Sequence, residues 1–549
     1  MAFRRGLAPI VIAIVVALVY WPGLAGFWTR DDYMQLAFAR LVGSPWSVFF
    51  HDHYFPVPGS IFRPVGFASF WLSQALFGTD YFWNAFGDLV LHVAVSLALY
   101  RVMRAGEIER APAALCTLLF ALHPAVLGTA LWWSARFDLL AMLFGLVAVR
   151  AALDHLARQR VGSLLVALAA VLAALLSKET ALAAAAAIGF VWLRGARFDR
   201  SKRGAMLRAF AALVATVVLF FAWRTAVLGT LTTALTGDAS IVDAFGRGLA
   251  AWFSHLLDYL TFGARSGIVL AIVLAAYFIV EFERLTRRRR DAVALASARL
   301  DVVICGICFF VLPAILQAPI AAMNATALHA DASAVEAAMQ SRLYYFSIGG
   351  LAMMFAGGVG RVWSSARIPH AAVNTALAVC VAAFGWVSRD TASAFADTTA
   401  ASRPLAERIA AAVDRSLPGA GARCRIVVLG ARPPPEWSVY VSIDSIAKAL
   451  TSDIDRVGHC FIESDYVTYF NLMRGDTNPI DAAPYTPRSA GGRPIPWLRI
   501  GDMTTAYLDP PANAGAAALS GIVFLRYENG AFVDVSADVA SGRIPVALR

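Results

Sequence analysis

Long apolar runs dominate residues 1–390 of this 549-residue chain, and most of them end in arginine or lysine. Each run is about 15–22 residues long, close to the ~20 apolar residues that a helix needs to cross a bilayer. Over the whole chain, 59% of the residues are hydrophobic and 15% are charged. In soluble proteins, about 45–50% of the residues are hydrophobic and about 25% are charged. The pattern excludes a wholly soluble, disordered, collagen-like or coiled-coil protein, and it predicts a polytopic, mainly α-helical membrane protein.

About eleven segments fit membrane-spanning helices. They are residues 7–26, 84–101, 112–130, 137–153, 161–177, 181–194, 208–226, 267–282, 301–318, 343–360 and 369–387. If each segment crosses the membrane once, the loops rich in arginine and lysine all lie on the same side of it. Their positive charge identifies that side as the cytoplasmic one. Residues 243–264 are predicted to be re-entrant or surface-lying, because another crossing would move Arg287–Arg290 outside. An odd number of spans places the C-terminal end outside.

The C-terminal region reads as a small soluble domain. Its β-like runs at Arg425–Leu429, Ser438–Val441 and Ile522–Tyr527 flank a helical stretch near Ser442–Thr451, which predicts an α/β fold. We therefore expect a transmembrane domain at 1–390, with a first outer loop at about 27–83, and a linker and soluble domain at 391–549. Cys424 and Cys460 are the only cysteines of this region and could form one disulfide in an oxidising compartment.

The net charge of +10 is concentrated at the ends of the apolar runs. This distribution is typical of cytoplasmic loops and argues against a nucleic-acid partner. Arg287–Arg290 are predicted to contact the anionic headgroups of membrane lipids.

Two adjacent carboxylates, Asp31 and Asp32, follow the first span. Carboxylates at a membrane boundary are costly unless they are solvated or engaged, so they mark a candidate functional site. The alternative is that they cap a surface helix beginning at Tyr33. One aspartate is enough for capping, which leaves the other for a functional role.

His51, Asp52 and His53 resemble a fragment of a metal site, but the sequence shows no third ligand cluster. Residues this close together point in different directions unless the chain turns. A divalent metal therefore stays open as an alternative to a site that needs no cofactor.

Isolated polar residues recur at the span ends that are predicted to face outward. They are Arg63, His123, Arg136, Asp138, Lys178, Glu179, Arg224 and Arg342. Each alone could be a snorkelling anchor or half of an internal salt bridge. Together they provide what a lipid-linked phosphate requires, since arginine binds phosphate through two parallel hydrogen bonds. A hydroxyl that attacks carbon also needs a carboxylate base, so we expect these side chains and the two aspartates to meet in one outward-facing cavity.

Several stretches carry a family resemblance in their order along residues 1–360. They are TRDDYMQL, IFRPVGFASFWLSQALFG, His92, FALHPAVLGTALWWSARFDLLAMLF, LLSKETAL and SRLYYFSIGGLAM. The chain resembles the GT-C membrane glycosyltransferases that use polyprenyl-phosphate sugars, especially the branch of tetratricopeptide-repeat transmembrane O-mannosyltransferases and their bacterial relatives. Two features depart from that branch: Val126 and Gly128 stand where its members tend to carry His and Glu, and the repeats are absent.

The resemblance implies a GT-C-like fold and a glycosyltransferase that moves a sugar from a polyprenyl-phosphate donor to an acceptor with inversion. It implies that Asp31 or Asp32 activates the acceptor hydroxyl. It also implies that Arg63, Arg136, Lys178 and Arg342 bind the donor phosphate or hold its pocket together. From the placement of the polar residues, we add His53, His123, Asp138 and Glu179 as further substrate-binding candidates. The acceptor, whether a glycan, a lipid or a protein, stays open.

Arginine-rich inner loops suit a bacterial inner membrane with a periplasmic C-terminal domain, although composition does not exclude the endoplasmic reticulum. Three other functions remain alternatives: a ligase or polymerase of lipid-linked glycans, a transporter or flippase, and a non-catalytic protein that binds envelope partners. The sequence shows no repeated halves, which transporters often have.

Overall fold

The computed structural model describes most of the helical part and several separate pieces of the C-terminal part. The described residues are 3–50, 61–229, 249–250, 252–253, 298–327, 341–363, 370–417, 425–429, 443–458, 460–464, 497–500, 503–506, 522–544 and 546–548. The chain divides into two compact units. The membrane unit comprises Met1–Ala25, Trp46–Ser69 and Phe82–Ala396, and the tail unit comprises Gly26–Pro45, Phe70–Tyr81 and Asp397–Arg549.

Helices form nearly all of the regular structure before residue 416. In chain order they are α1 (Phe3–Tyr20), α2 (Asp31–Leu41), α3 (Pro64–Phe77), α4 (Tyr81–Ala105), α5 (Arg110–Ala121), α6 (Leu127–Leu131), α7 (Arg136–Arg158), α8 (Val161–Leu175), α9 (Leu182–Phe198), α10 (Arg203–Leu228), α11 (Ala298–Ala327), α12 (Tyr345–Trp363), α13 (His370–Ala400) and α14 (Arg403–Arg415). Backbone groups have no water partners inside a bilayer, so a chain this apolar must satisfy them within helices.

Seven helical segments among the described residues are long and apolar enough to cross a membrane. They are Leu7–Ala25, Tyr81–Ala105, Trp133–Arg158, Glu179–Phe198, Arg203–Leu228, Ala298–Gln317 and His370–Arg415. The pair Arg110–Ala121 and Pro124–Leu131, bent by 60°, makes an eighth if it counts as one span. The prediction of a polytopic helical membrane protein is confirmed.

The seven segments match seven of the eleven predicted spans, and the others differ for local reasons. The predicted span 112–130 is the bent pair, which breaks where Pro124 lacks the amide that a continuous helix needs. The predicted span 161–177 corresponds to the short helix α8, and 343–360 corresponds to most of α12 and the last two residues of the turn before it. Residues 267–282, and almost all of 243–264, lie outside the described residues, so the total of eleven stays a prediction.

Helices α11 and α12 approach each other closely through glycines. A Cβ atom on Gly350 would lie 2.5 Å from the carbonyl oxygen of Gly306, and a Cβ on Gly306 would lie 2.7 Å from that of Gly350. Small residues allow membrane helices to bring their backbones into contact, where van der Waals packing replaces the hydrophobic effect as the main attraction.

The tail unit contains two small sheets. Strands β1 (Arg425–Leu429), β2 (Phe461–Ser464), β5 (Ile522–Glu528) and β6 (Ala531–Asp534) form one sheet in the order β2-β1-β5-β6. Strand β1 is parallel to β2 and β5, and β5 pairs with β6 through a tight turn at Asn529 and Gly530, both with positive φ. The second sheet, of β3 (Trp497–Ile500), β4 (Met503–Ala506) and β7 (Val546–Leu548), is antiparallel.

Helix α15 (Ile443–Leu450) connects β1 to β2, so the predicted combination of strands and a helix is confirmed at these positions. The short helices α16 (Ile454–Val457) and α17 (Ser536–Ala540) complete the unit. The predicted run Ser438–Val441 lies outside the described residues. Cys460 is disulfide-bonded, in agreement with the sequence, and Cys424 lies outside the described residues.

Helix α2, from the predicted first outer loop, belongs to this same tail unit and packs against α15. The guanidinium of Arg40 donates to the backbone carbonyls of Lys448, Ala449 and Thr451 at 3.1, 2.7 and 2.9 Å. The last carbonyls of a helix point away from its own amides, and Arg40 donates to two residues of the last turn of α15 and to Thr451, which follows it.

Replacing Gly350 by alanine should lower the thermal unfolding temperature of the purified protein, because the added methyl group would collide with the α11 backbone. Overpacking of this kind costs about 1–3 kcal/mol. Gly162→Ala is a matched control, since a Cβ on Gly162, in the first turn of α8, meets no atom within 4 Å. Equal unfolding temperatures for the two variants would contradict the close contact of α11 with α12.

Candidate functional site

Arg63 and Glu179 form an ion pair between two segments of the membrane unit. Arg63 directly precedes α3, and Glu179 follows α8. Arg63 donates from Nε and Nη2 to Oε2 of Glu179 at 3.1 and 2.9 Å, and its guanidinium lies 5.3 Å from the ring centroid of Phe137. The amide of Val65 donates to the carbonyl of Leu176 at 3.1 Å, so the two segments are also joined through their backbones.

Lys178 and Asp138 form a second, more deeply buried pair. The ammonium of Lys178 donates to both carboxylate oxygens of Asp138, at 2.7 and 2.6 Å, and the two residues are 8% and 1% exposed. The pKa of Lys178, which lies just before the Glu179–Phe198 span, is lowered to about 8 because burial disfavours the charged form. Asp138 opposes this shift, whereas the positive charges of Arg63 and Arg342 add to it. Three cations are therefore close enough to repel one another.

Arg136, at the start of α7, has all of its guanidinium nitrogens engaged by the protein. Its Nε donates to Oδ1 of Asp88 on α4, and its Nη1 and Nη2 donate to the carbonyls of Ser69 and Asn84, both at 3.3 Å. The guanidinium carbon also lies 5.1 Å from the ring centroid of Trp133. Of the two roles that the resemblance implied for Arg136, these contacts favour holding the pocket together over binding phosphate.

Arg342 is the least neutralised of the predicted cations. It lies in the turn Ser341–Tyr344 before α12, is half-buried, and has its guanidinium carbon 4.2 Å from the ring centroid of Trp132. In the described part of the chain, no carboxylate lies within ion-pair distance of it. Arg224, near the end of α10 and 3% exposed, interacts electrostatically with Glu179.

We call six of these residues the polar cluster: Arg63, Asp138, Lys178, Glu179, Arg224 and Arg342. Four of them are cations and two are carboxylates, which gives a net charge of +2. The cluster lies at the ends of α7 and α10 opposite to the arginine-rich ends near residues 158 and 203. A buried surplus of positive charge is costly unless an anion balances it.

Three buried polar atoms beside the polar cluster have no hydrogen-bond partner among the described residues. They are Oγ1 of Thr129, Nε1 of Trp132 and Oγ1 of Thr180. Buried polar atoms are nearly always bonded, so unsatisfied ones indicate where a ligand or ordered water binds. Trp132 contacts Arg342, and Thr180 follows Glu179. Thr129 lies on α6, which packs against the turn that carries Arg342.

Asp31 and Asp32 open α2 in the tail unit and differ in their surroundings. Asp32 is 1% exposed, and its Oδ2 accepts a hydrogen bond from the amide of Thr29 at 3.1 Å, so it stabilises the start of the helix. Asp31 is half-buried. Arg30, immediately before them, has a φ of 52° and a ψ of −125°, a strained conformation for a residue with a side chain.

Of the two histidines predicted to bind substrate, the structure describes only His123. His123 lies at the break of the bent pair, where its Nδ1 accepts from the amide of Ala125 at 3.1 Å and its ring packs on Phe384. His53, with His51 and Asp52, lies outside the described residues. Within the ranges that are described, no group of three or more His, Cys, Asp or Glu side chains is arranged to hold a metal.

The sequence analysis missed Asp88 and the network around His92. His92 is fully buried, with Nδ1 2.8 Å from the hydroxyl of Tyr345 and Nε2 3.0 Å from the carbonyl of Ala121. Because a carbonyl only accepts, Nε2 carries the proton and Tyr345 donates to Nδ1. The hydroxyl of Tyr20 donates to the same carbonyl at 2.8 Å. The only available signal was a carboxylate and a histidine four residues apart in an apolar helix.

No family model matches the chain, and no characterised protein matches it in sequence. Among solved structures, the chain is similar to the Archaeoglobus fulgidus oligosaccharyltransferase tethered with an acceptor peptide, at a TM-score of 0.47 and 12% identity over 93% of this chain and 76% of that one. It is also similar to ArnT from Cupriavidus metallidurans bound to undecaprenyl phosphate, at a TM-score of 0.44 and 12% identity over 85% and 87% of the chains. The likeness is modest, so function has to follow from the side chains of this chain.

Replacing Arg136 by methionine should destabilise the protein by about 3–5 kcal/mol, because it leaves Asp88 as a buried, unpaired charge. The double variant Asp88→Leu/Arg136→Met removes both charges and should recover most of this loss in a thermal unfolding experiment. An unfolding temperature that stays at the wild-type value in Arg136→Met would show that the pair does not hold α4 to α7.

Proposed function

We propose that the chain is a membrane glycosyltransferase that transfers a sugar from a polyprenyl-phosphate carrier to an acceptor outside the cytoplasm, with inversion at the anomeric carbon. The observation that carries this proposal is the net charge of +2 of the polar cluster at the ends of membrane-spanning helices. A lipid-linked phosphate is an anion that reaches such a position from within the bilayer, since its tail stays in the hydrocarbon.

The positive charge of the polar cluster matches the charge of the leaving lipid phosphate better than it matches the charge of the intact donor. A sugar joined to a lipid through one phosphate carries about one negative charge, and the lipid phosphate that leaves carries up to two. Fixed positive charges therefore bind the leaving phosphate more strongly than the donor, which lowers the barrier. Arg342 is the residue that we assign to this phosphate, because its guanidinium faces an aromatic ring and can still offer two parallel donors.

Lys178 and Arg63 contribute charge from positions fixed by carboxylates. Asp138 holds the Lys178 ammonium by two hydrogen bonds, and Glu179 holds the Arg63 guanidinium by two more. Groups held in place before the reaction need no reorganisation while charge develops, which is where electrostatic catalysis gains most.

We assign the base to Asp31 rather than Asp32. The carboxylate of Asp32 is buried and bonded to the backbone at the start of α2, which leaves it the structural role, whereas Asp31 is half-buried. In a single displacement, Asp31 takes the proton of the acceptor hydroxyl, and the hydroxyl oxygen forms a bond to the anomeric carbon. The bond from that carbon to the phosphate oxygen breaks, and its electron pair leaves with the lipid phosphate. One base and no covalent intermediate give inversion.

We place the protein in a bacterial inner membrane with the tail unit in the periplasm. The disulfide-bonded Cys460 supports an oxidising compartment for the tail unit, because cytosolic thiols are kept reduced. The motifs shared with polyprenyl-phosphate-dependent enzymes support the donor class, and the acceptor stays unassigned among glycans, lipids and proteins.

Replacing Asp31 by asparagine should lower turnover by about 10²–10⁴-fold, the contribution of a general base. The assay follows release of lipid phosphate from radiolabelled polyprenyl-phosphate sugars by the full chain in proteoliposomes. Asp32→Asn is the matched neighbour: it should lower the unfolding temperature and affect turnover far less. Unchanged turnover in Asp31→Asn would remove the base assignment. Release of lipid diphosphate from a diphosphate-linked glycan, supplied as an alternative donor, would indicate a ligase.

Replacing Arg342 by glutamine should weaken binding of a polyprenyl monophosphate by about 10-fold or more, since a charge-assisted pair to phosphate contributes roughly 1.5–3 kcal/mol. Arg389→Gln is the control, because Arg389 is an exposed arginine of the same unit that bonds the carbonyl of Leu18. Binding is measured on the full chain without acceptor, so the result does not depend on the base. Equal affinities of the two variants would contradict the phosphate assignment.

A further inference from the structure

A cavity of about 460 Å³ lies within the membrane unit between the ends of α4, α7 and α8. Arg101, Arg150, Asp154 and Arg158 provide its charged lining, and Val147 and Val166 are part of its apolar wall. The cavity is separate from the polar cluster, because Asp138 and Asp154 are sixteen residues apart on α7, roughly 24 Å along the helix axis. None of its lining residues takes part in the proposed transfer.

The recess lies beside the first turn of α8. Gly162 and Ser163 line it there, together with Arg101 of α4 and Asp154 of α7. The exposed valines Val147 and Val166 leave the recess open toward the lipid, with 36% and 49% of their surface accessible.

The charged rim of this recess has more cations than its carboxylate can neutralise. Asp154 pairs with Arg158 at 2.9 Å and with Arg150 at 3.8 Å, and it accepts a hydrogen bond from Ser163 at 2.6 Å. Arg101 is exposed and has no ion-pair partner among the described residues. Three arginines around one aspartate give the rim a net charge of +2.

We propose that this cavity binds the headgroup of an anionic phospholipid in the leaflet that faces the cytoplasm. The phosphate diester sits among Arg101, Arg150 and Arg158, and one acyl chain runs along Val147 and Val166. Charge complementarity selects an anionic headgroup, and the lipid-facing opening selects a phospholipid over a soluble phosphate. The basic loop 154–160 assigns this end of α7 to the cytoplasmic side, where anionic lipids concentrate. The site is independent of the proposed transfer reaction.

Native mass spectrometry of the detergent-purified full chain, titrated with dioleoyl phosphatidylglycerol, tests this site. The wild-type chain should retain this lipid in preference to dioleoyl phosphatidylcholine, which has the same acyl chains and no net charge. Removing one arginine near the surface should weaken binding about fivefold, so Arg101→Gln should bind about fivefold and Arg101→Gln/Arg150→Gln about 25-fold more weakly. Arg208→Gln, which removes an exposed charge at the same end of the bundle, should bind as the wild type does.

A steric variant separates the cavity from a diffuse basic surface. Gly162 lines the cavity and has open space where a Cβ would stand, so Gly162→Trp should reduce phosphatidylglycerol retention without changing any charge. Its unfolding temperature in lipid-free detergent should stay at the wild-type value. Equal retention of the two lipids, an equal loss in Arg208→Gln, or full retention in Gly162→Trp would each overturn the proposal. Displacement of the lipid by millimolar glycerol 3-phosphate would overturn its assignment to a phospholipid.

Discussion

The energetic cost of burying charge constrains the membrane unit more than any other interaction. Desolvating a single ionised group costs several kcal/mol even after the protein relaxes. The described spans meet this cost with ion pairs between separate segments. Arg136 pairs with Asp88, Lys178 with Asp138, and Arg194 with Asp301 through two hydrogen bonds. Each pair fixes the rotation and depth of two segments at once, because losing either partner leaves a charge in a low-dielectric interior.

A buried cation that has no carboxylate partner is the kind of residue that can bind an anionic ligand. Each of the three guanidinium nitrogens of Arg136 donates to Asp88 or to a backbone carbonyl, so this residue belongs to the scaffold. In the polar cluster the cations outnumber the carboxylates, and neighbouring buried hydroxyl and indole groups lack partners among the described residues. The residue type alone does not distinguish a structural arginine from one that binds a ligand. The two roles are distinguished by the hydrogen bonds and ion pairs that each guanidinium already makes within the protein.

Local sequence features predicted the parts of the structure that depend on local chemistry. Apolar run length gave the positions of the spans, and lone charges at their ends gave Arg63, Asp138, Lys178, Glu179 and Arg342 as candidates. The partners were not predictable, because the pairing of Arg63 with Glu179 joins residues more than a hundred positions apart. Asp88 was missed because a single carboxylate inside an apolar helix has no pattern around it. The membership of α2 in the tail unit was missed because it rests on contacts of Arg40 with α15, some four hundred positions away.

The packing of α2 on α15 changes how the C-terminal region should be regarded. The segment that begins with the two aspartates is supported by a helix some four hundred positions further along the chain. A shortened chain that keeps every hydrophobic helix but lacks α15 would therefore lose the packing that holds α2, and with it the support of the residue that we propose as the base.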